Sequence, residues 1–337
     1  MSEATFNPRR VLIIGINGAF GRYCARAFLD SNWQVSGLVR NPEKPLCELL
    51  QKDLQNENIQ LLKGDLAEKT DLTSAFADAD VIVYGVNPAN YRWKNKAVPW
   101  LNHCLEELEA LAGDNPKTLV FPGNIYGYHP DQGPTLTAQT DIHAHAPVTP
   151  KGHMRQQMMG RLQKAADRGV NVIVLRMGDF LAPDIESSWW KSLLKTTRRG
   201  YRLSMPGKAR HTWAYLPDAA AEVVALTKAY MSEPPAFRNF HHGGYHMSWQ
   251  EMAASIQRVT KRPVTLRKFP WLLIRALAPF SFLFRSILEM RYLWQKEFKL
   301  AQTMPGLKPT PFDEVVSHLL GMSEAHLSEP FSRAKRH

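Results

Sequence analysis

The residues with the clearest chemical meaning are three glycines near the N-terminus, Gly15, Gly18 and Gly21, within RRVLIIGINGAFGR (residues 9–22). The apolar run at 11–14 predicts a buried strand, and a helix is predicted to begin within the glycine turn. In such a turn Gly15 permits the tight bend, Gly18 lets a diphosphate approach the backbone, and Gly21 lets the helix pack on the strand. The helix then directs backbone N–H groups and the positive end of its dipole at a phosphate. The stretch predicts a dinucleotide-binding site, with a surface turn as the alternative.

A basic residue follows the second predicted strand, at 34–39, where a dinucleotide site reads the adenosine ribose. An Asp or Glu there would bond the 2′-hydroxyl and repel a 2′-phosphate, whereas the guanidinium of Arg40 suits a phosphate. Arg22 is a candidate second contact, and a solvated charge at the strand end is the alternative for Arg40. We therefore expect NADP as the cofactor in preference to NAD.

Further cofactor contacts are expected at the turn itself and where later strands end. Asp65 follows a predicted strand at 59–62, and it could accept a hydrogen bond from the adenine amino group or cap the next helix. The predicted strand at 81–86 leads into Asn87. The set predicted from these positions is Gly15, Asn17, Gly18, Ala19, Phe20, Gly21, Arg22, Arg40, Asp65, Leu66, Val86 and Asn87.

A regular alternation of elements positions these residues. Strands are predicted at 11–14, 34–39, 59–62, 81–86 and 118–121, separated by helices at 19–30, 46–56, 72–76 and 100–111. This order predicts an α/β fold with a Rossmann-type doubly wound parallel sheet, whose ligand lies at the carboxyl ends of the strands. The expected organisation is an NAD(P)-binding domain over 9–180 completed by returning segments near 211–260, a smaller C-terminal substrate lobe over 181–330, and a loose basic tail at 331–337.

The composition is typical of a globular protein in a reducing compartment. Of 337 residues, 44% are hydrophobic and 22% charged, and the net charge is +11. The basic residues are scattered without a nucleic-acid-binding signature, which favours an enzyme with an anionic cofactor over a nucleic-acid partner. Three cysteines without metal-ligand spacing predict neither disulfides nor a metal site. The sequence contains no apolar leader and no run of about eighteen apolar residues, so we expect a cytoplasmic location and no transmembrane segment.

Short motifs along the chain add up to a family resemblance. They are the glycine turn, GDL at 64–66, NIYG at 124–127, and later segments at 175–183, 213–220 and 240–251. Together they resemble the extended short-chain dehydrogenase/reductase superfamily, in its NAD(P)-dependent epimerase/dehydratase group, over residues 10–260. The resemblance implies an NAD(P) cofactor and oxidoreductase or epimerase-like chemistry on a small molecule.

The catalytic pattern of that superfamily is not kept. Its members use a Tyr-x-x-x-Lys pair and an upstream Ser or Thr, in a frame like Pro-x-Ser-Pro-Tyr-Gly-x-x-Lys. This chain has PVTPKGHMR at 147–155, which puts Lys151 at the tyrosine's place and Arg155 at the lysine's, and FPGN at 121–124 replaces the usual serines. The chain therefore resembles atypical members of the superfamily, which include both reductases or isomerases with altered sites and NADP-binding regulators.

Three interpretations of Lys151 and Arg155 remain open. In the first, Lys151 is itself the acid or electrostatic group, with its pKa lowered by desolvation and by Arg155. The proton then comes from Lys151, from Tyr126, or from one of Tyr128, His129 and His153. In the second, Lys151 and Arg155 bind cofactor ribose and phosphate, and the protein senses NADP without turnover. In the third, they are exposed charges one helical turn apart. The first is favoured, with Lys151, Arg155 and Tyr126 as the catalytic set and Lys151 also a cofactor contact.

The second lobe supplies the expected substrate side and a distinctive apolar segment. The segment at 269–298 is rich in Leu, Phe and Trp and is interrupted by arginines. It could lie on a membrane surface, cover the substrate pocket or meet a second subunit in a homodimer, and the covering role is favoured. Arg176, at the end of a predicted buried strand, is expected to pair with a carboxylate, Asp179 or Asp218.

Overall fold

The structure is a computed structural model, and it describes residues 9–55, 57–68, 72–88, 95–113, 115–185 and 188–322. The predicted basic tail at 331–337 lies outside these ranges. The strands are β1 (Arg10–Ile14), β2 (Gln34–Val39), β3 (Ile59–Lys63), β4 (Val81–Tyr84), β5 (Thr118–Gly123), β6 (Thr135–Leu136), β7 (Asn171–Arg176), β8 (Asp179–Leu181), β9 (Leu194–Thr197), β10 (Gly200–Met205), β11 (His211–Tyr215), β12 (Phe237–His241), β13 (Tyr245–Met247), β14 (Val264–Lys268) and β15 (Lys299–Leu300).

The helices alternate with the first strands as the sequence pattern predicts. They are α1 (Ala19–Asp30), α2 (Glu48–Gln55), α3 (Thr73–Ala77), α4 (Ala97–Leu111), α5 (Pro150–Ala166), α6 (Trp189–Leu193), α7 (Leu216–Tyr230), α8 (Trp249–Thr260), α9 (Trp271–Leu277), α10 (Phe282–Glu289), α11 (Tyr292–Gln295) and α12 (Phe312–Leu319). A 3₁₀ turn, Ala278–Phe280, joins α9 to α10.

Seven parallel strands form the central sheet, in the order β12-β7-β5-β4-β1-β2-β3. The chain starts in the middle, builds outward to β3, and then returns across β1 to build the other half. The order therefore reverses between β1 and β4, and in such sheets the ligand crevice lies outside the carboxyl ends of the strands at this switch point. The predicted Rossmann-type doubly wound parallel sheet is confirmed.

The sheet is buried on both faces because its strands are apolar on both sides. In β1, Leu12 and Ile14 point into one core and Val11 and Ile13 into the other, as the two-residue period of a strand requires. The first core is shared with α4 and α5, and the second with α1, α2 and α7. Because all seven strands run parallel, their carboxyl ends lie at one edge of the sheet.

A third core forms a smaller lobe beside the sheet. It contains the tryptophans Trp213, Trp249 and Trp294, packed among side chains of α8 and α12. Two three-stranded sheets, β14-β10-β9 and β13-β11-β8, frame this lobe. Among the helices described, none combines the length and the apolar character needed to cross a bilayer.

Candidate functional site

The glycine turn has the close geometry that its sequence predicts. Gly15 has φ of +79°, in the left-handed region that favours glycine, and its carbonyl oxygen accepts a hydrogen bond of 2.8 Å from the Gly18 N–H. A Cβ on Gly21 would overlap that same oxygen. Larger residues at either place would push α1 away from β1.

Helix α1 begins at this turn without a side-chain cap. Its N-cap is Gly18, so no side chain occupies the hydrogen-bonding positions of the first turn. Gly18, Ala19 and Phe20 line a cavity at the carboxyl ends of β1, β4 and β5. A helix terminus of this kind offers N–H donors and the positive end of the dipole to an anion. The residues present therefore fit a diphosphate.

The cavity has a volume of about 360 Å³ and extends from the glycine turn to the second lobe. Its walls also include Val86 and Asn87 after β4, Gly123 and Asn124 at the end of β5, and Asp179 in β8. The three residues predicted as the catalytic set, Lys151, Arg155 and Tyr126, all line this cavity.

Lys151 lies in the first turn of α5 and is held by α10. Thr149 caps α5 by accepting a hydrogen bond of 3.0 Å from the Gly152 N–H, which fixes where the helix starts. The Lys151 Nζ donates to the Ser286 carbonyl oxygen at 3.0 Å and lies 3.5 Å from Glu289 Oε2. Lys151 is only 6% exposed. The interpretation of Lys151 as an exposed charge is therefore wrong.

The charge of Lys151 is set by burial and by Glu289. Removal from water lowers the pKa of the Lys151 ammonium, and the Glu289 carboxylate opposes that shift. The expected contribution of Arg155 to this shift stays a prediction. Burial also lowers the pKa of Arg155, to about 10, so this guanidinium stays charged at neutral pH.

Tyr126 is connected to a pair that the sequence analysis does not assign to catalysis. Its hydroxyl donates to Asp179 Oδ1 at 3.3 Å, and Asp179 Oδ2 lies 2.7 Å from His211 Nε2. The His211 ring stacks on Trp294 with the ring centroids 3.8 Å apart. The parallel pairing of β8 with β11 brings the two together, since Asp179 lies opposite Trp213, two residues from His211 and on the same face.

The other candidate proton donors lie elsewhere. Tyr128 is buried in the core with the Arg176 guanidinium over its ring, His129 caps a 3₁₀ turn, and His153 is exposed on α5. None of these three is among the described residues that line the cavity.

The buried Arg176 does not find the carboxylate that the sequence analysis expects. It donates to Asn239 Oδ1 at 2.8 Å and to the Asn124 carbonyl oxygen. The Asp179 carboxylate contacts His211, and the Asp218 carboxylate accepts hydrogen bonds from the backbone N–H and the hydroxyl of Thr310. The expected pairing is wrong because both carboxylates have nearer donors.

The remaining predicted cofactor contacts occupy the same edge of the sheet without lining the cavity. Arg40 is exposed after β2, and no described residue forms an ion pair with it. Arg22 is bound to Asp184 Oδ2 at 2.6 Å and to the Asn17 carbonyl oxygen at 2.6 Å. The Asn17 side chain accepts from the Cys47 N–H at 2.8 Å.

Two further residues predicted to contact the cofactor, Asp65 and Leu66, follow β3. Asp65 Oδ1 accepts a hydrogen bond of 2.9 Å from the Ala67 N–H, and Leu66 is buried in the core. The position of Asp65 at a carboxyl strand end agrees with the sequence pattern. Its role towards adenine stays a prediction.

Helix α10 covers the cavity from the lobe side. Ser286, Ile287 and Met290 line it, and Glu289 accepts a hydrogen bond of 2.8 Å from the Lys151 N–H. Part of the segment at 269–298 thus lines the cavity, and its favoured role of covering a substrate there stays a prediction. The exposed apolar side chains of α9 and α10 are considered below.

A doubly wound parallel sheet with an uncapped helix terminus facing a cavity at the strand ends defines the class, a Rossmann-type α/β protein. The NmrA-like family model matches residues 7–96, the part that contains the glycine turn. The Isoflavone reductase homolog IRL of Zea mays is 36% identical over 76 residues, 22% of this chain and 25% of that protein. The chain thus matches about a quarter of that relative's length.

Longer matches extend the similarity to most of the chain. Cinnamoyl-CoA reductase 1 of Arabidopsis thaliana is 24% identical over 243 residues, 68% of each chain. The structure of UDP-glucuronic acid 4-epimerase from Bacillus cereus in complex with NAD superposes with a TM-score of 0.66 at 14% identity, covering 92% of this chain and 96% of that one. Together these findings confirm the resemblance to the extended short-chain dehydrogenase/reductase superfamily.

Proposed function

We propose that this protein is an NADP-dependent oxidoreductase or epimerase-like enzyme that acts on a small molecule. The observation that carries the proposal is that one cavity joins the uncapped start of α1 to Lys151, Arg155 and Tyr126. A dinucleotide with its diphosphate at α1 would have its other end beside these three side chains. When bound, the nicotinamide supplies or accepts a hydride there.

The residues at the phosphate end bind and select the cofactor. The N–H groups of the first turn of α1, at Ala19 and Phe20, would receive the diphosphate. Arg40 would contact the 2′-phosphate, because an exposed guanidinium after β2 is at the ribose-reading position. The B. cereus epimerase binds NAD, so the preference for NADP rests on Arg40.

The residues at the reactive end would transfer a proton and stabilise the charge that develops on the substrate. Tyr126 is the group we propose as the acid or base, since it lines the cavity and its hydroxyl is bonded to Asp179. Asp179, fixed by His211, would position that hydroxyl. Lys151 and Arg155 would stabilise negative charge that develops on a substrate oxygen. Carbonyl compounds and sugar nucleotides are the substrate classes we propose, because the relatives are named as reductases and epimerases.

A second function is favoured by the contacts of Lys151. Its ammonium donates to Ser286 and lies close to Glu289, so part of its bonding capacity is directed at α10. This arrangement suits a protein that binds NADP and responds to it without turnover. The two functions differ in whether any substrate changes the redox state of the nicotinamide.

The test of the cofactor assignment is calorimetric titration with NADP and NAD. Arg40→Asp should lower the affinity for NADP by about 100-fold and change the affinity for NAD by less than about threefold. The substitution removes one contact to the 2′-phosphate and adds repulsion. Arg198→Asp, another exposed arginine, is the matched control and should change neither affinity. Equal losses for both cofactors in Arg40→Asp would remove Arg40 as the selector.

The test of catalysis is nicotinamide absorbance with a panel of carbonyl compounds and sugar nucleotides. Turnover that Tyr126→Phe reduces by about 100-fold, with cofactor affinity unchanged, would support the enzymatic function. Tight NADP binding without turnover of any member of the panel would favour the NADP-responsive binding protein.

A further inference from the structure

Helices α9 and α10 carry an exposed apolar surface. Seven large apolar side chains are exposed among the described residues, and five of them fall within 272–283. We call these five the outer patch: Leu272, Leu273, Phe280, Phe282 and Leu283. Leu272 and Phe280 are 85% and 87% exposed. Because α9, the 3₁₀ turn and α10 contact one another, the five side chains belong to one local surface.

The outer patch is held in place by the protein beneath it. Ile274 and Ala278 are buried, and they anchor the inner side of α9 and the turn. Trp271 Nε1 donates to the Pro206 carbonyl oxygen at 2.6 Å, and the Arg291 guanidinium lies 5.4 Å from the centre of that indole ring. The apolar side chains are therefore presented by a preformed element, and a partner would not have to order it.

The charged residues of the stretch that carries the outer patch are basic as far as Glu289, which ends α10 and contacts Lys151. The stretch from 252 to 288 contains seven Lys or Arg residues and no Asp or Glu. Four of the seven are exposed on or next to α9 and α10: Arg267, Lys268, Arg275 and Arg285. Apolar side chains with a basic rim are the combination that binds the interface of a membrane with anionic lipid.

A second copy of this chain fits the outer patch less well. In a two-fold symmetric dimer the same surface meets itself, so the basic residues around one patch would lie against those around the other. An anionic bilayer instead supplies the opposite charge. The helices are also too short to span it, at seven and eight residues, and suit a position along the surface.

We propose that the outer patch docks this protein on the surface of an anionic lipid membrane, with α9 and α10 lying in the interface. Leu272, Leu273, Phe280, Phe282 and Leu283 enter the headgroup and upper acyl region, and the surrounding arginines and lysines contact lipid phosphates. This proposal does not depend on the proposed function, since docking requires neither cofactor nor substrate.

The experiment is co-sedimentation of the full chain with vesicles of phosphatidylcholine alone or of equal parts phosphatidylcholine and phosphatidylglycerol. We expect binding to the mixed vesicles that is at least about tenfold stronger than to the neutral ones and that weakens as salt is added. Leu272→Ser with Phe280→Ser should reduce that binding by about tenfold or more. Val148→Ser with Leu307→Ser is the matched control, since these side chains are exposed outside 272–283, and it should bind as the unchanged protein does.

A second variant tests the charges independently of the apolar side chains. Arg275→Gln with Arg285→Gln should lower binding to the mixed vesicles and flatten its salt dependence. All variants should keep the melting temperature and the cofactor affinity of the unchanged protein, because the substituted side chains are exposed.

Three results would overturn the proposal. One is the absence of binding to the mixed vesicles, and another is equal binding by Leu272→Ser/Phe280→Ser and the unchanged protein. The third is a dimer in light scattering that this double variant converts to a monomer, which would assign the outer patch to a second copy. Cofactor calorimetry on the same samples tests the proposed function separately.

Discussion

The two ends of the cavity are built from different parts of the chain. The phosphate end is made of backbone from consecutive residues, Gly15 to Gly21, and it offers N–H groups without relying on any side chain. The reactive end is made of side chains from α5, β8, β11 and α10, and Lys151 and Glu289 are 138 residues apart. A backbone site depends on local shape, whereas a side-chain site depends on tertiary packing. Substitutions at the two ends should therefore have different kinds of effect.

The largest effect is expected at the phosphate end, for Gly18→Asp. A carboxylate there would occupy the phosphate position and repel the diphosphate, so dinucleotide affinity should fall about a thousandfold in calorimetry. Aspartate is a favourable N-cap and Gly18 has extended backbone angles. A Cβ there would lie 3.0 Å from the Gly15 carbonyl oxygen and 3.1 Å from that of Gly85, so the backbone must shift slightly, and the melting temperature of the variant is measured beside its affinity. Gly113→Asp, in an exposed turn with open space around it, is the control. Unchanged affinity in Gly18→Asp would show that α1 does not bind the phosphate.

The next effect concerns the pH dependence of stability, and it arises at His241, the last residue of β12. Burial, with a contribution from Arg176, lowers the pKa of His241 from 6.5 to about 4. Between these values the unfolded chain binds a proton that the folded chain does not, so stability falls as pH falls from 6.5 to 4. The loss is about 3 kcal/mol. Chemical denaturation across this range should show a steeper loss for the unchanged protein than for His241→Gln, and identical slopes would contradict the assignment.

A smaller effect is expected from breaking the contact between α5 and α10. Lys151→Met leaves the Glu289 carboxylate without that ammonium, and it should cost about 2 kcal/mol of stability. Adding Glu289→Gln should recover about half of that loss, which a double-mutant cycle would measure. Lys208→Met, at an exposed lysine, serves as the comparison and should change stability little. Strict additivity of the two substitutions would mean that the pair is not coupled.

The smallest effect is expected for Arg22→Gln, which tests whether the phosphate end depends on backbone alone. The Arg22 guanidinium is already bound to Asp184 and to the Asn17 carbonyl oxygen. Its loss should cost about 1 kcal/mol of stability or less and change the NADP and NAD affinities equally, by less than about threefold. A selective loss of NADP binding would instead identify Arg22 as a contact to the 2′-phosphate.

The same comparison explains what the sequence could predict. The glycine turn was predictable because its strand, turn and helix follow one another within twenty or so residues. The position of Lys151 and Arg155 in the cavity followed from the superfamily frame at 147–155. The fold followed from the alternation of apolar strands and amphipathic helices, although β4 ends at Tyr84, before the predicted end of that strand.

The rest depended on which partners the tertiary structure brings together. The sequence pattern indicates Arg176 as a partner for Asp179, but the pairing of β8 with β11 places Asp179 beside His211. The contact of Glu289 with Lys151 cannot be predicted locally, because it requires α10 to pack over the start of α5. Both Asp179 and His211 can be read from the sequence, but no local signal links two residues that lie 32 positions apart.

Helix α10 has a consequence for regulation. Through Ser286 and Glu289 it supplies two acceptors to the ammonium of Lys151, and its outer side chains form part of the exposed surface. A shift of this eight-residue helix would withdraw both acceptors together and redirect the lysine towards the interior of the cavity. A ligand that binds the exposed surface of α10 and shifts the helix would therefore act as an effector. Its binding would change the contacts of Lys151 through this one helix.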